Sequence, residues 1–315
     1  MITGNLRIPC GGACYASGFS PVRAATPRRV RHLLAVMACL MGGLPSNATA
    51  QLRFQVLGRD TIETRIRDFT GSDAERETRL KKFFTDAGCK DISEEVVKSK
   101  NPPNLICVLP GQTDRVILVG AHFDHVNTGD GVVDNWSGAS LLPSLLWSVR
   151  QAPRQHTYVF VGFTEEEKGL VGSNFYARHL TPEERSKIDA MVNMDTLGLG
   201  PTEIWVSHAD QPLVRDLEAV AQALNLPVRG MNVDQVGESD SESFARYKVP
   251  RITIHSVTQD TWPILHSSRD RLDAIKADEY YNTYKLIAGY LVFLDQLVGQ
   301  DSPAPASVPA TKTEH

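Results

Sequence analysis

The sequence contains few cysteines and no apolar run long enough to cross a membrane. Only 5 of its 315 residues are cysteines, and three of these lie within the first fifty positions. A scaffold held together by many disulfides is therefore excluded, whereas Cys89 and Cys107 either form one bridge in an oxidising compartment or remain two separate thiols. The apolar run 33–44 has 12 residues, fewer than the roughly 20 that span a bilayer.

Acidic residues are absent from the first fifty positions, which carry five arginines. The rest of the chain holds 28 basic and 37 acidic side chains, a net charge of −9. A surface this acidic repels polyphosphate, which disfavours nucleic acid as a partner. The hydrophobic share of 42% and the charged share of 22% are those of a soluble globular enzyme, and they exclude collagen, coiled coil and wholesale disorder.

The first fifty residues have the three parts of a secretory signal. Three arginines between positions 28 and 31 precede the apolar run 33–44, and Ala48-Thr49-Ala50 has the small residues of a cleavage site. We therefore interpret residues 1–50 as a signal peptide that is cleaved before Gln51. The protein is then expected in the periplasm or outside the cell, with no membrane span after cleavage.

Residues 51–299 form one candidate domain in which short apolar runs alternate with helical patterns. The strand-like runs are 104–109, 115–120, 158–163, 190–194, 204–206 and 252–254, and the helical stretches between them are 138–149, 169–179 and 212–224. This alternation predicts an α/β fold with a largely parallel sheet that is covered by helices on both sides. Residues 300–315 are rich in Pro, Ala and Ser, which is typical of a disordered tail.

Imidazoles and carboxylates follow several of the predicted strands. They are His122, Asp124 and His125, then Asp134, then Glu165, Glu166 and Glu167, then Asp195, and finally His266. Because ligands bind beyond the carboxyl ends of parallel strands, we expect these side chains to converge there. Imidazole and carboxylate groups are ligands that zinc accepts, and one carboxylate can bridge two ions about 3.5–4 Å apart.

Four segments that contain these residues resemble the zinc aminopeptidase family of the bacterial leucyl aminopeptidase type, metallopeptidase family twenty-eight. The segments are Ala121–His125, Asp134–Gly138, Phe163–Ser173 and Asn193–Asp195. Glutaminyl cyclases, glutamate carboxypeptidase and the transferrin-receptor ectodomain belong to the same superfamily. The resemblance implies a three-layer α/β/α sandwich with a mixed, mostly parallel central sheet, and it implies zinc as the cofactor, with two ions per subunit.

The resemblance also implies roles for individual residues. The implied ligands are His122, Asp134 and Asp195 for one zinc, and Asp134 as a bridge, Glu167 and His266 for the other. Glu166 is the implied general base, and Asp124 is expected to orient His122. Adjacent side chains of an extended chain point to opposite sides, which allows Glu167 to face the metal while Glu166 faces the substrate.

The chain departs from the family pattern at two places. The usual Ser-Asp-His is Ser239-Asp240-Ser241, and the usual His-Thr-Pro-x-Asp-Thr is replaced by the segment 266–271. His255, on a nearby strand, competes with His266 for the role of ligand. We also expect His156 to be an ordinary exposed residue, and Pro143 to lie within the helix 138–149 and to kink it.

The function that follows is that of an exported zinc-dependent aminopeptidase. Its substrate would be a peptide, cut at the N-terminal peptide bond by a metal-activated water with Glu166 as general base. Two alternatives remain open: a glutaminyl cyclase, which is a zinc-dependent acyltransferase, and a peptidase-like binding ectodomain without catalysis. The continuation Lys168-Gly169-Leu170 resembles the peptidases more closely than the cyclases.

Overall fold

A computed structural model describes residues 2–8 and 50–297 of the chain. At its centre lies a sheet of eight strands. The strands of this sheet are β3 (Ile92–Glu95), β4 (Asn104–Leu109), β5 (Val116–His122), β6 (Thr157–Phe163), β7 (Ile188–Met194), β8 (Thr202–Ile204), β9 (Val228–Gly230) and β10 (Arg251–His255). Their spatial order is β3-β4-β6-β5-β7-β10-β8-β9.

The four central strands, β6, β5, β7 and β10, are parallel to one another, and antiparallel pairs flank them on both sides. The register places His122 opposite Phe163 and Ile254 opposite Met194. The carboxyl ends of these strands therefore meet at one edge of the sheet. This topology confirms the expected mixed, mostly parallel sheet.

Helices cover both faces of the sheet, as the sequence predicts. They are α1 (Arg59–Arg67), α2 (Asp73–Asp86), α3 (Ser137–Ala139), α4 (Leu142–Val149), α5 (Val171–His179), α6 (Pro182–Ser186), α7 (Gln211–Leu224), α8 (Glu242–Ala245) and α9 (Ala277–Leu297). Along β5, Ile117 and Val119 pack into the core beneath α1, α2, α4, α7 and α9, whereas Leu118 packs with α5 and α8. This alternation gives the sheet two buried faces and confirms the three-layer α/β/α architecture.

The N-terminal strand lies inside the segment that the sequence assigns to a signal peptide. β1 (Ile2–Ile8) pairs antiparallel with β2 (Ala50–Val56), so cleavage before Gln51 would separate the two strands. The basic and apolar parts of the predicted signal, and the tail 300–315, lie outside the described residues. Among the described helices, none combines the length and apolar character needed to cross a membrane.

Three local expectations are settled by the fold. Cys89 and Cys107 form a disulfide between the end of α2 and β4, with Cα atoms 6.2 Å apart. Pro143 does not interrupt a helix, because α3 ends at Ala139 and the proline lies in the first turn of α4, where its missing N–H breaks no helical bond. His156 is buried rather than exposed, so that prediction is wrong.

His156 lies between two carboxylates at the amino ends of the central strands, and these carboxylates stabilise it in a buried position. Its Nδ1 lies 3.2 Å from Asp295 of α9, and its Nε2 lies 3.2 Å from Asp189 of β7. Burial by itself would lower the pKa of His156, but the two hydrogen bonds outweigh that effect and raise the pKa to about 9. A protonated imidazole thus joins the sheet to the last helix.

Candidate metal centre

Six of the predicted site residues meet at the carboxyl edge of the central strands. His122 is the last residue of β5, Asp195 directly follows β7, and Glu166 and Glu167 follow β6 after a short loop. The remaining two come from loops: Asp134 lies between β5 and α3, and His266 lies between β10 and α9. Convergence of these loops is the spatial arrangement that the sequence led us to expect.

The two oxygens of Asp134 contact two different histidines. Its Oδ1 is 3.2 Å from His122 Nε2, and its Oδ2 is 3.2 Å from His266 Nε2. Glu167 Oε2 lies 2.9 Å from His266 Nε2, and Asp195 Oδ1 lies 3.4 Å from His122 Nε2. The donors therefore form two groups that share one carboxylate, which is the arrangement of a bridging ligand.

Two triads of potential ligand atoms, which differ in membership from the two groups above, are each compact enough to bind one cation. The donors of His122, Asp134 and Glu167 lie within 4.8 Å of one another, as do those of His122, Glu166 and Asp195. Glu167 Oε1 and Asp195 Oδ1 are buried and accept no hydrogen bond from the described part of the chain. Buried carboxylate oxygens are unfavourable without a partner, and a metal ion would supply one.

The crowding of carboxylates shifts the protonation equilibria of the site. Burial, together with repulsion from neighbouring carboxylates, raises the pKa values of Glu166 and Glu167, and burial raises the pKa of Asp240 to about 7. The hydrogen bonds that His266 donates to Asp134 and Glu167 raise its pKa to about 10. Such a cluster favours binding of divalent cations, because positive charge stabilises the ionised carboxylates.

Asp124 connects His122 with the acidic pair that follows β6. Its Oδ1 accepts a hydrogen bond from the backbone N–H of Glu166 at 3.0 Å, and its Oδ2 accepts one from Glu167 at 3.3 Å. The same carboxylate lies 3.5 Å from Nδ1 of His122. The backbone carbonyl oxygen of Asp124 is nearer to that nitrogen, at 3.3 Å. Asp124 thus contacts His122 through both groups, and its carboxylate also holds the turn that carries Glu166 and Glu167.

Glu165, the first residue of the acidic triplet, points away from the metal centre. Its buried carboxylate is paired with Lys98 at 2.8 Å and Lys168 at 2.9 Å, and Asn101 donates a further hydrogen bond to it. Its φ of 54° is left-handed, an unfavourable conformation for a residue with a Cβ. These contacts stabilise the turn from which Glu166 and Glu167 extend.

Three residues that the sequence analysis gave no role position the predicted ligands. Asp270 accepts hydrogen bonds from the backbone N–H groups of Val133 at 2.7 Å and Asp134 at 3.0 Å. Ser239 donates to Asp195 Oδ2 at 2.6 Å. Asn135 donates to the carbonyl of Met194 and accepts from the N–H of Gly138, both at 2.9 Å.

A sequence signal existed for two of these residues. Asp270 occupies the aspartate position of the family pattern that begins at His266, and Ser239 is the first residue of the Ser-Asp-Ser segment. Each residue belongs to a segment that corresponds to a family pattern, but the pattern alone assigns it no role. Only the structure shows which atoms they contact.

His255 does not compete with His266 for a metal. Its Nδ1 accepts a hydrogen bond from the N–H of Val257 at 3.1 Å, and its Nε2 donates to the carbonyl of Met231 at 3.2 Å. Burial lowers the pKa of His255 to about 4, so the ring is neutral and both nitrogens are occupied. The half-exposed His266, which contacts both Asp134 and Glu167, is the histidine that joins the predicted ligand set.

Two cavities open beside the cluster. The inner cavity, of about 60 Å³, reaches from Asp195 to a wall formed by Trp205, Val233, Val257 and Leu265. The outer cavity, of about 340 Å³, extends from Glu166 to the ends of α5 and α8. Glu166, Glu167, Glu238 and His266 line both cavities, so a ligand at the metal centre can extend in both directions.

Comparison with protein families gives one match. The model of Peptidase family M28 matches residues 104–291, which is more than half of the chain. The matched region begins with β4 and ends within α9, so it contains all of the predicted ligands.

Among curated proteins, the chain is similar to an aminopeptidase of Pseudomonas aeruginosa and to aminopeptidase YwaD of Bacillus subtilis. It is 39% identical to the first over 88 residues, which are 28% of this chain and 16% of that protein. It is 23% identical to the second over 247 residues, which are 76% of this chain and 52% of that protein. The chain thus spans about half or less of the length of these relatives.

Solved structures with the same fold include LapA of Legionella pneumophila, with a TM-score of 0.66, 23% identity and coverage of 76% of this chain and 73% of that one. A zinc aminopeptidase of Bacillus subtilis has a TM-score of 0.56 at 20% identity, with coverages of 61% and 50%. A glutaminyl cyclase of an Acidobacteriales bacterium has a TM-score of 0.62 at 19% identity, with coverages of 77% and 96%. At these identities the likeness shows the fold alone.

Proposed function

Because the chain belongs to peptidase family M28, we propose that it is a zinc-dependent aminopeptidase, which removes the N-terminal residue of a peptide. The observation that carries this proposal is Asp134, whose two oxygens lie 3.2 Å from two different histidines. A shared carboxylate with imidazole and carboxylate groups on each side is a donor set suited to a pair of zinc ions.

The proposed ligands divide into two sets. They are His122, Asp134 and Asp195 for one ion, and Asp134, Glu167 and His266 for the other. Zinc, when bound, supplies Lewis-acid polarisation of a carbonyl and lowers the pKa of a water molecule to about 7. Asp124, Asp270 and Ser239 hold the backbone or side chains of these ligands through the hydrogen bonds described above.

Glu166 is the residue proposed to move the proton. Its Oε2 lies 3.9 Å from His122 Nε2, and its carboxylate forms a compact triad with His122 and Asp195, so it lies directly beside the proposed ligands. A carboxylate there can take a proton from the attacking water as the carbonyl carbon gains its new C–O bond. It can then give that proton to the amine nitrogen as the peptide C–N bond breaks, a role worth roughly 10²–10⁴-fold in rate.

The direct test is hydrolysis of a panel of aminoacyl p-nitroanilides by the purified protein, followed by removal of metal with a chelator and restoration with zinc. The proposal expects p-nitroaniline release that disappears with the chelator and returns with zinc. N-terminally acetylated substrates are the control, because an aminopeptidase requires a free α-amine. Release that persists without metal, or that is equally fast from acetylated substrates, would contradict the proposal.

Glutaminyl cyclase is the second candidate, because the fold is shared with a structure of that class whose length this chain covers to 96% and the fold alone does not separate the two activities. A peptide with N-terminal glutamine distinguishes the two activities. A cyclase releases ammonia and leaves the chain intact with pyroglutamate at its end, whereas an aminopeptidase releases free glutamine. Mass spectrometry of the products separates these outcomes in one assay. A binding ectodomain without catalysis would yield neither product.

We also propose that the protein is exported. The basic and apolar segments before Ala48-Thr49-Ala50 support this, and so does the disulfide between Cys89 and Cys107, because such bonds persist in oxidising compartments. The test is N-terminal sequencing of the protein from the periplasmic or extracellular fraction. We expect the sequence to begin at Gln51, and an intact N-terminus would contradict cleavage.

A further inference from the structure

The outer cavity carries one guanidinium among acidic side chains. Besides His266, which belongs to the proposed ligand set, Arg246 at the end of α8 is the only basic residue that lines it among the described residues. The carboxylates that line the same cavity are Glu166, Glu167, Glu238 and Glu242. Glu242 is already paired, with Arg251 and with His208, each at 3.0 Å.

Arg246 has a neutral partner. Its guanidinium donates a hydrogen bond to Oδ1 of Asn174 on α5 at 2.7 Å, and no carboxylate of the described residues lies within 4.0 Å of it. An amide oxygen orients the guanidinium without neutralising its charge. The Nδ2 group of Asn174 is itself a hydrogen-bond donor, and it lies beside the guanidinium of Arg246. Two neighbouring donors, one of them cationic, form a receptor for a planar carboxylate.

We propose that Arg246 and Asn174 bind the C-terminal carboxylate of a short peptide, so that the preferred substrates of this enzyme are dipeptides with a free C-terminus. This inference rests on the proposed aminopeptidase function. The residue after the cleaved bond would lie in the outer cavity, and the N-terminal side chain would lie against the apolar wall of the inner cavity, at Trp205, Val233 and Leu265.

Carboxylates line both cavities, and Arg246 gives the outer cavity a cation that the inner one lacks among its lining residues of the described chain, apart from the histidines. The α-amine of the substrate would lie beside Asp195, which lines the inner cavity alone. The carboxylate lies on the opposite side of Glu166, where Arg246 provides the positive charge. A dipeptide places its two charges at opposite ends of the molecule, whereas a long peptide carries an uncharged backbone past Arg246.

The experiment compares hydrolysis of Leu-Ala with hydrolysis of Leu-Ala amide by the zinc-loaded full chain. These substrates differ only in the C-terminal charge. We expect the free acid to have a kcat/KM about fivefold higher, chiefly through KM, the upper size expected of a charge-assisted contact of the exposed Arg246 side chain. Arg246→Met should reduce that ratio to about one, and Arg246→Lys should retain part of it.

Two further variants sharpen the test. Asn174→Asp places a carboxylate on the guanidinium, which should remove the preference for the free acid while Arg246 is still present. Arg178→Met removes the same charge from α5 at an exposed position that lines neither cavity, and it should keep the wild-type ratio. The inference would be overturned if the wild type hydrolysed Leu-Ala and Leu-Ala amide with equal kcat/KM, or if Arg246→Met kept the wild-type preference for the free acid.

Binding measurements separate this inference from the proposed function. In the Glu166→Gln background, calorimetry with zinc-loaded protein should show tighter binding of Leu-Ala than of Leu-Ala amide, and Arg246→Met should remove the difference. Tighter binding of the acid without turnover of either peptide by the wild type would support the carboxylate receptor and overturn the aminopeptidase. Turnover of both peptides with equal affinities would support the aminopeptidase and overturn the carboxylate receptor.

Discussion

The carboxylate of Asp270 accepts a hydrogen bond from the backbone N–H of Asp134, a residue 136 positions earlier in the chain. Its other oxygen accepts a hydrogen bond from the N–H of Val133. The two bonds hold the loop that contains Asp134 against the loop that contains His266 and Asp270. His266 lies only four residues before Asp270 in this loop. Asp270 thus couples the geometry of both proposed ligand sets without contacting a histidine nitrogen.

Replacing Asp270 should therefore weaken metal binding. Asp270→Asn keeps the shape of the side chain but turns one acceptor into a donor, which opposes one of the two backbone N–H groups. We expect zinc affinity to fall by about 10–100-fold, the usual effect of losing a residue that orients a metal ligand. Competition with a chromophoric chelator measures this. Asp273→Asn, at an exposed position in the same loop, should bind zinc as the wild type does.

Glu166→Gln should separate catalysis from metal binding. Glutamine keeps the size of the side chain but cannot take a proton from water, so we expect kcat to fall by about 10²–10⁴-fold. The zinc content, measured by elemental analysis, should be unchanged. Normal turnover by this variant would remove Glu166 from its proposed role.

Asp134→Ala should have the complementary effect. This change removes both oxygens that lie between His122 and His266, so zinc content and rate should fall together. Elemental analysis again measures the zinc. Full occupancy in this variant would contradict a bridging role for Asp134.

Arg76 should be important for stability although it lies outside the matched family region. This buried side chain of α2 donates to the carbonyls of Thr70 at 3.0 Å, Gly131 at 3.1 Å and Phe123 at 3.3 Å, and to that of Asp130. Arg76→Met leaves the carbonyls of Thr70, Phe123 and Asp130 without a protein donor, whereas that of Gly131 keeps the N–H of Trp136. We therefore expect the free energy of unfolding to fall by about 2–4 kcal/mol.

Urea denaturation of the metal-free protein measures that loss. The matched control is Arg79→Met on the same helix, which removes an exposed pair with Asp68 and should cost less than about 1 kcal/mol. Equal midpoints for Arg76→Met and the wild type would show that the four carbonyl contacts add nothing to stability.

His156 should make stability depend on pH in the alkaline range. Its pKa is about 9 in the folded chain and about 6.5 when unfolded, so the folded state binds the proton more tightly. The stabilisation is fully present below about pH 6.5 and is lost as the pH rises through 9. His156→Gln should remove this part of the slope. Urea titrations at several pH values measure it, and identical slopes for both proteins would refute the prediction.

The local sequence was sufficient to predict most of the architecture. Ser72 accepts a hydrogen bond from the N–H of Glu75 at the start of α2, and a serine followed three residues later by a glutamate is a local sequence pattern typical of a helix start. The apolar run 104–109 is the strand β4 with the same bounds. Both features depend on neighbours in the chain, which is why they can be read from it. Short segments with weak periodicity, such as β9 (Val228–Gly230) and α8 (Glu242–Ala245), were missed.

By itself, the sequence determined the α/β class and the set of residues with metal-binding chemistry, because residue type and strand periodicity are local properties. Only the tertiary structure decided which of two histidines joins the cluster, since the backbone around Val257 and Met231 occupies both nitrogens of His255. It also placed Arg76 and Asp270 against loops distant in sequence, and Arg246 against the helix α5. Loop side chains follow no repeating pattern, so their directions are set by packing between segments that come together only when the chain folds.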